Sequence, residues 1–281
     1  VSSGLCDFAL GTDTGGSVRA PASHCGLFGL RPSHGRVSLQ RVLDLSPSFD
    51  TGGWFARDVG TFARVADVLL GADATPLPQR VRLLRPTDVW GLLAAEVSAA
   101  LDAPCQRIES ALGGAQATAV VLDSFDAMYW HFRHLQGREA WLVDGPLIER
   151  FAPPLGPGVA QRFAWARAIT DDKVAAATAF RSRFRAQLAA LLGLDGVLLM
   201  PTMPDVAPRI SDDEAGLENY RNAAIRMLCI AGLSGFPQLS LPLTTRLGAP
   251  LGISLLGPAG SDRGLVRLAE RIGPGTLPAA P

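Results

Sequence analysis

The residue types best suited to chemistry lie in one short run near the start of the chain, Gly11-Thr12-Asp13-Thr14-Gly15-Gly16-Ser17-Val18-Arg19-Ala20-Pro21. An apolar, strand-like segment leads into the glycine pair, and a helix-like segment follows it. Consecutive glycines adopt backbone angles that are closed to other residues, and they let a ligand approach the main chain closely. We therefore expect the N–H groups of this turn to converge on one cavity at a helix start, where they stabilise an anion. The N–H groups in question are those of Thr14, Gly15, Gly16 and Ser17.

Three interpretations of this turn remain open on spacing alone. The first is a phosphate site, although the turn has no Gly-Lys-Ser/Thr ending and no Gly-x-Gly-x-x-Gly opening. The second is an oxyanion hole beside a nucleophilic serine, Ser17. The third is that Ser17 only caps the helix that follows, as serines at helix starts commonly do.

A nucleophilic serine needs a general base, because a hydroxyl is a weak nucleophile at its own pKa. His24 follows Ser17 by seven residues, about two helical turns, and is expected to point away from the glycine turn. His34 lies in a segment rich in Gly and Pro and is expected at the surface. His131 and His134 have the spacing of half a metal site, but no nearby carboxylate completes it, so no metal is predicted. These positions suggest no Ser/His/Asp arrangement.

The composition argues against several classes of protein. The chain has 281 residues, with 26 basic and 26 acidic side chains and no cluster of Lys and Arg, so a nucleic-acid partner is not expected. Its 48% hydrophobic and 19% charged residues exclude disorder. No apolar run reaches the ~18 residues of a membrane span, and no secretory signal is recognisable. Four widely spaced cysteines indicate free thiols, and the sequence therefore predicts a cytoplasmic protein.

Strand-like and helix-like segments alternate, which predicts an α/β fold with helices packed over a central sheet. Strands are expected at 7–10, 27–30, 81–84, 119–122 and 197–200, and a strand pair at 239–243 and 251–256 around Gly248. Helices are expected at 18–25, 62–70, 94–112, 124–143, 171–192, 217–231 and 262–272, with 171–192 the longest. Residues 32–53 are predicted to form a loop, and the Pro- and Gly-rich tail is predicted to be frayed.

The glycine-serine run resembles the amidase signature family of serine hydrolases, whose hallmark is Gly-Ser/Thr-Asp-x-Gly-Gly-Ser-Ile/Val-Arg-x-Pro. The likeness continues through Cys25-Gly26-Leu27-Phe28-Gly29-Leu30-Arg31-Pro32-Ser33-His34-Gly35-Arg36-Val37-Ser38, where Arg31 replaces the lysine of the family pattern. Weaker matches follow in the family's order at 48–58, 199–204, 231–237 and 251–258. The stretch Trp54-Phe55-Ala56-Arg57-Asp58 looks most like the short, plant indole-acetamide-hydrolase-like branch.

This resemblance implies a fold, a reaction and a set of site residues. The implied fold is a central mixed β-sheet covered by helices, in a single domain over residues 1–281. The implied reaction is hydrolysis of a small-molecule amide to acid and ammonia, without a cofactor, through an acyl-enzyme on Ser17. The backbone of Thr14, Gly15, Gly16 and Ser17 would form the oxyanion hole, and Asp13 and Arg19 would brace the loop.

The family's other triad members, a cis-Ser and a general-base Lys, lie upstream of the nucleophile in the family pattern. Sixteen residues precede Ser17 here, and Ser2 and Ser3 lack the Gly-rich turn that surrounds the cis-Ser. Lys173, the only lysine, lies 156 residues after Ser17 and is interpreted as a solvated charge. We therefore expect an N-terminally truncated amidase domain that needs the upstream segment for activity. We also expect an exposed sheet edge with apolar surface and a tendency to associate.

Two other functions stay open beside the hydrolase. The family includes the glutaminase subunit of tRNA-dependent amidotransferases, and it includes members without a triad that serve as scaffolds. A homodimer is also left open. Five aromatic residues between 124 and 170 could line a substrate pocket, although the core is their expected place. They are Trp130, Trp141, Phe151, Phe163 and Trp165.

Overall fold

The computed structural model describes residues 1–273, and the tail predicted to be frayed lies outside these residues. In this part of the chain, eight strands form one sheet in the order β1-β3-β2-β7-β8-β6-β4-β5. The strands are β1 (Phe8–Thr12), β2 (Phe28–Arg31), β3 (Gly52–Ala56), β4 (Arg82–Pro86), β5 (Gln116–Thr118), β6 (Gly196–Pro201), β7 (Gln238–Arg246) and β8 (Ala249–Leu256). Strand β4 runs parallel to β5 and β6, whereas the other pairs are antiparallel. The expected mixed central sheet is therefore confirmed.

Ten helices accompany the sheet within residues 1–273. They are α1 (Arg19–Cys25), α2 (Val59–Leu69), α3 (Thr87–Trp90), α4 (Ala95–Ala100), α5 (Asp102–Leu112), α6 (Phe125–Phe151), α7 (Pro157–Arg167), α8 (Asp171–Leu192), α9 (Glu214–Ser234) and α10 (Asp262–Ile272). Helix α8 has the predicted bounds, but α6, with 27 residues against 22, is longer.

Strand β6 shows why helices cover both faces of the sheet. All six of its residues are buried. Val197 and Leu199 belong to the hydrophobic core that includes α2, α5 and α10. Leu198 and Met200 belong to a second core, which includes α6, α8 and α9. Alternate side chains of a strand point to opposite faces, so a strand that is apolar throughout must be covered on both.

Helix α1 packs directly against the sheet, and this packing fixes the position of the glycine-serine turn that precedes the helix. A Cβ added at Gly29 of β2 would lie 2.4 Å from the Cβ of Ala22 in α1. Glycine at this position therefore allows the helix to approach the strand closely. The turn between β1 and α1 is held between the end of a strand and a helix packed against the same sheet.

Two predicted elements differ because side chains interrupt the pattern. The single helix expected at 94–112 is broken at Leu101, and Pro104 lies in the first turn of the new helix, where its missing N–H has no intrahelical partner to lose. The strand expected at 119–122 is replaced by β5 at Gln116–Thr118. The N–H groups of Val120 and Val121 instead donate to the Asp88 carboxylate, each at 2.8 Å.

Three further elements were absent from the sequence-based expectation, namely β3, α7 and the four-residue helix α3. Strand β3 begins at Gly52, inside the predicted loop, and pairs with β1 on one side and β2 on the other. Two leading glycines weaken its local preference for a strand, so pairing with two neighbours decides it. Helix α7 starts at Pro157 directly after Gly156. Proline at this position suggested a break in the chain, although proline is favoured in the first helical turn.

Candidate active site

Ser17 occupies the turn between β1, which ends at Thr12, and α1, which begins at Arg19. The N-cap of α1 is Val18, whose own side chain makes no capping hydrogen bond. The Ser17 side chain is exposed and makes no hydrogen bond within residues 1–273. The interpretation of Ser17 as a helix cap is therefore wrong, and its hydroxyl is available for chemistry.

The two glycines of the turn differ in how strongly the structure excludes a side chain at their positions. Gly16 has a φ of +125°, and a Cβ there would lie 2.4 Å from Cδ1 of Leu228. Backbone conformation and close packing therefore both exclude a side chain at this position. Gly15 has no positive φ, and a Cβ there would lie 3.3 Å from Nε2 of Gln136 and 3.4 Å from the ring of Phe132. Gly15 thus faces α6, whereas Gly16 packs on α9.

The buried carboxylate of Asp13 holds this turn in place by accepting hydrogen bonds from its backbone. Its Oδ1 accepts a hydrogen bond from the Gly16 N–H at 2.9 Å, and its Oδ2 accepts weaker ones from the N–H groups of Val18 and Arg19 at 3.2 and 3.3 Å. The Gly16 N–H, expected to face the cavity, therefore already has an acceptor. Within residues 1–273, the N–H groups of Thr14, Gly15 and Ser17 have no hydrogen-bond acceptor.

Two fully buried arginines compensate the charge of Asp13. Arg19 binds it as a fork, with 3.0 Å from Nε to Oδ2 and 2.9 Å from Nη2 to Oδ1. Arg31 lies 3.0 Å from Oδ1 through Nη1. Burial by itself raises the pKa of the Asp13 carboxyl, but the charges of both arginines outweigh burial and hold that pKa well below its usual range. Burial lowers the pKa of Arg31 to about 10, against the opposing effect of Asp13, so Arg31 stays charged near neutral pH.

The same arginines connect the turn to distant parts of the chain. Arg19 Nη1 donates to the carbonyl of Leu228 in α9 at 2.8 Å and to Oε1 of Gln238 in β7 at 2.7 Å. Arg31 Nη2 donates to the carbonyl of Phe49 at 2.8 Å. The sequence suggested a bracing role for Arg19, but it singled out Arg31 only as a departure from a pattern. The overlooked signal was a cation at the end of the apolar strand Phe28-Gly29-Leu30-Arg31.

Ser17 and both glycines line a wide cavity of about 1290 Å³. Helices α1, α6, α7 and α9 contribute to its wall, together with the segment that follows β6. A narrower cavity of about 310 Å³, called here the α6–α7 cavity, lies next to it. Arg133 and Arg162 line both cavities. The walls of the α6–α7 cavity are formed by Leu45, Arg133, Gln136, Gly137, Ala140, Val159, Arg162, Phe163, Trp165 and Ala166.

His24 lines the same wide cavity as Ser17, although it was expected to point away from the turn. Its Nε2 lies 2.7 Å from the hydroxyl of Tyr220, which itself donates to the carbonyl of Asp205 at 2.7 Å. The Tyr220 hydroxyl has one proton, so it accepts the Nε2–H of His24. Burial lowers the pKa of His24, which keeps the ring neutral near pH 7. His24 is thus held by α9 and makes no hydrogen bond to Ser17.

The other predicted histidine and lysine positions lie away from the turn. His34 is exposed, as expected. His131 stacks on Phe180 with 4.3 Å between ring centroids, and His134 stacks on neighbouring tryptophans. Within residues 1–273, no three or more His, Cys, Asp and Glu side chains converge as a metal site would require. Lys173 is exposed near the start of α8, as a solvated charge would be.

The expectation that most of the aromatic residues between 124 and 170 belong to the core is wrong. Trp130 is 49% exposed and Phe151 62% exposed, and the remaining three are only partly buried. Phe163 and Trp165 line the α6–α7 cavity. Aromatic side chains therefore do border the site, although their spacing along the chain did not reveal this.

Comparisons with known proteins agree with this fold and turn. The profile of the protein family described as Amidase matches residues 1–89 and 138–266. Amidase 1 of Oryza sativa subsp. japonica is 35% identical over 97% of this chain and 69% of its own length. A glutamyl-tRNA(Gln) amidotransferase subunit from Methanothermobacter thermautotrophicus is 29% identical over 97% of this chain and 64% of its own length.

A solved structure described as the crystal structure of an amidase superposes with a TM-score of 0.83 at 29% identity. The superposition covers 94% of this chain and 62% of the chain in the solved structure. The chain therefore spans roughly two thirds of the proteins that it matches. No helix in residues 1–273 combines the length and apolarity that crossing a bilayer requires.

Proposed function

Because the chain belongs to the amidase family, we propose that it hydrolyses a carboxylic amide to the acid and ammonia through an acyl-enzyme on Ser17. One observation carries the proposal. Ser17 is exposed and lines the wide cavity together with Gly15 and Gly16, and the N–H groups of Thr14, Gly15 and Ser17 in the same turn have no acceptor within residues 1–273. A hydroxyl next to unused backbone donors suits acyl transfer, since the donors stabilise charge that develops on the carbonyl oxygen.

In the first half of the proposed reaction, the Ser17 hydroxyl gives its proton to a base and its oxygen bonds to the amide carbon. The carbonyl electron pair moves onto oxygen, which accepts hydrogen bonds from the N–H groups of Thr14, Gly15 and Ser17. The C–N bond then breaks, and the nitrogen leaves as ammonia after taking up a proton. Water attacks the resulting ester in the same way and releases the acid.

We assign the role of the base to the Lys and cis-Ser that the family resemblance places upstream of Val1. Within residues 1–273, the Ser17 side chain has no hydrogen-bond partner, and His24 is engaged by Tyr220. Asp13 acts as a positioning residue in this proposal, because it holds the turn from the buried side.

The four cysteines are free thiols, which supports the proposal of a cytoplasmic protein.

Labelling with a fluorophosphonate tests this function, because the probe phosphonylates activated serines. Intact mass is measured for the 281-residue chain and for the proposed longer gene product, which would include the upstream segment. We expect one adduct on the longer product, its loss in Ser17→Ala, and no adduct on the folded 281-residue chain. Labelling that persists in Ser17→Ala would exclude Ser17 as the nucleophile. Labelling of the 281-residue chain would instead place the base within it.

A second candidate function is the glutaminase component of an amidotransferase, which the similarity to the glutamyl-tRNA(Gln) amidotransferase subunit favours. Release of ammonia from glutamine is then expected only in the presence of partner subunits. Turnover of simple amides by the longer gene product alone would count against this alternative.

A further inference from the structure

The α6–α7 cavity has an unusual combination of wall residues. Most of them are apolar or aromatic, including Phe163 and Trp165. Among residues 1–273, the charged residues of this wall are two arginines, Arg133 and Arg162, and none of these residues contributes a carboxylate to it. A cavity of this kind suits a ligand that carries an apolar group and a negative charge.

This cavity adjoins the turn that carries Ser17. Gln136 lies on its wall, and Nε2 of this residue is 3.3 Å from the position that a Cβ on Gly15 would take. Arg133 and Arg162 line both the α6–α7 cavity and the wide cavity. An acyl group whose carbonyl carbon meets Ser17 can therefore extend past Gly15 towards Arg133.

Arg133 is a partly buried cation without an anionic partner. Within residues 1–273 it makes no ion pair and no hydrogen bond, and its Nε is buried without an acceptor. Its guanidinium lies over the ring of Trp165, 5.1 Å from the centroid. By contrast, neighbouring Arg138 and Arg167 pair with Asp171 and Glu149, each at 3.0 Å. Withdrawing a cation from water without a partner is unfavourable, so a ligand that supplies the anion gains binding free energy.

We propose that Arg133 is a specificity-determining residue that binds a carboxylate on the acyl group of the amide substrate. The inference rests on the proposed function, since it names the substrate class for the Ser17 site. The terminal Nη groups of Arg133 donate to the carboxylate, while the apolar body of the acyl group fills the α6–α7 cavity. The carboxylates of the wide cavity, Glu214 and Glu218, do not line the α6–α7 cavity.

Calorimetric titration of the 281-residue chain carrying Ser17→Ala tests the inference without turnover. The probes are 4-carbamoylbenzoate, which has a carboxylate opposite its amide, and 4-methylbenzamide, a neutral molecule of similar shape. We expect the carboxylate probe to bind about tenfold more tightly or better, as a charge-assisted hydrogen bond provides. Arg133→Gln should abolish that preference while 4-methylbenzamide binds as before. Arg133→Lys, which keeps the charge without the fork, should retain part of it.

Arg138→Gln is the matched control, because Arg138 lies on the same helix, pairs with Asp171 and lines neither cavity. It should leave both affinities unchanged. Equal affinities for the two probes, binding of neither, or an unchanged preference in folded Arg133→Gln would each overturn the inference. Because the titration needs no nucleophile, its result is independent of the Ser17 labelling experiment.

Discussion

Asp13 and Arg31 form a fully buried ion pair, with 3.0 Å between Oδ1 and Nη1, although they lie 18 residues apart at the ends of different strands. Arg31 also donates to the carbonyl of Phe49, so it joins three segments below the site. Removing one partner of a buried pair destabilises a protein by about 3–5 kcal/mol.

We expect Arg31→Met to lower the free energy of unfolding by about 3 kcal/mol, because Arg19 still compensates Asp13. Arg31→Lys, which restores the lysine of the family pattern, should cost about 1–2 kcal/mol, since it keeps the charge but loses the planar fork. Urea unfolding at pH 7 measures both values. A methionine variant as stable as the unaltered chain would show that the pair contributes nothing.

The depressed pKa of Asp13 predicts loss of stability in acid. The pKa of an aspartate side chain in the unfolded chain is about 3.9, whereas the pKa of Asp13 in the folded protein lies below that value. The unfolded state therefore takes up the proton first as pH falls. The contribution of Asp13 is complete above about pH 4 and is lost as pH falls towards the folded pKa. Asp13→Asn should accordingly flatten the dependence of unfolding free energy on pH between about pH 5 and pH 3.

Asp262 provides a control of opposite sign. Burial raises the pKa of its carboxyl, although the N–H and hydroxyl of Ser33 donate to it at 2.6 and 2.8 Å. Its folded state holds the proton more tightly, so its contribution weakens as pH rises through about 4. Asp262→Asn should therefore steepen the same profile. Parallel profiles for the two variants would contradict these assignments.

Substitutions at the two glycines of the turn should differ in severity. Gly16→Ala introduces a Cβ at a φ of +125° and 2.4 Å from Leu228, so we expect a loss of more than about 1 kcal/mol and of Ser17 labelling. Gly15→Ala meets its nearest atoms at 3.3 Å without a positive φ and should be milder. Thermal unfolding and probe labelling of the longer gene product distinguish the two. Equal effects would show that backbone conformation is not the deciding factor.

Substitution of His24 tests whether it participates in proton transfer. Its Nε2 is engaged by Tyr220, 2.7 Å away, so His24→Gln should leave the rate of Ser17 labelling in the longer gene product unchanged. Tyr220→Phe should destabilise the fold by about 1–2 kcal/mol, because both His24 and the Asp205 carbonyl lose a partner. The labelling rate at pH 7 provides the measurement. A tenfold fall in His24→Gln would instead identify His24 as a base.

Strand β1 lies at the edge of the sheet, and the exposed apolar side chains at this edge lead us to expect self-association. Leu10 on this strand is 64% exposed, and Val68 on neighbouring α2 is 84% exposed. Both line an apolar depression of about 470 Å³. Exposed strand edges with apolar surface pair with other chains. Sedimentation velocity should show concentration-dependent association that Leu10→Lys with Val68→Lys reduces, whereas Leu194→Lys, at an unrelated exposed site, should not. A monomer at every concentration would contradict this.

Local sequence determined much of the secondary structure and the candidate nucleophile. Helices α8 and α10 have the predicted bounds, because the apolar spacing lies within each segment and a glycine, Gly193 or Gly273, directly follows its last residue. The glycine-serine turn was identifiable because its glycines and its serine are consecutive in the chain. Fold class followed from the alternation of elements and from the family resemblance, and both depend on order along the chain.

Only the tertiary structure decided which residues meet around that turn. It placed β3 between β1 and β2, and it directed the Gly16 N–H to Asp13. It also brought Gln136 beside Gly15, more than a hundred residues earlier in the chain, and it placed Arg133 in the wall of the cavity that Gly15 lines. Local propensity and apolar periodicity show which face of an element is buried, but they do not show which distant element covers it. Partners across the sheet and between helices are selected by packing and charge compensation in the assembled fold, and these contacts form only when the whole chain is folded.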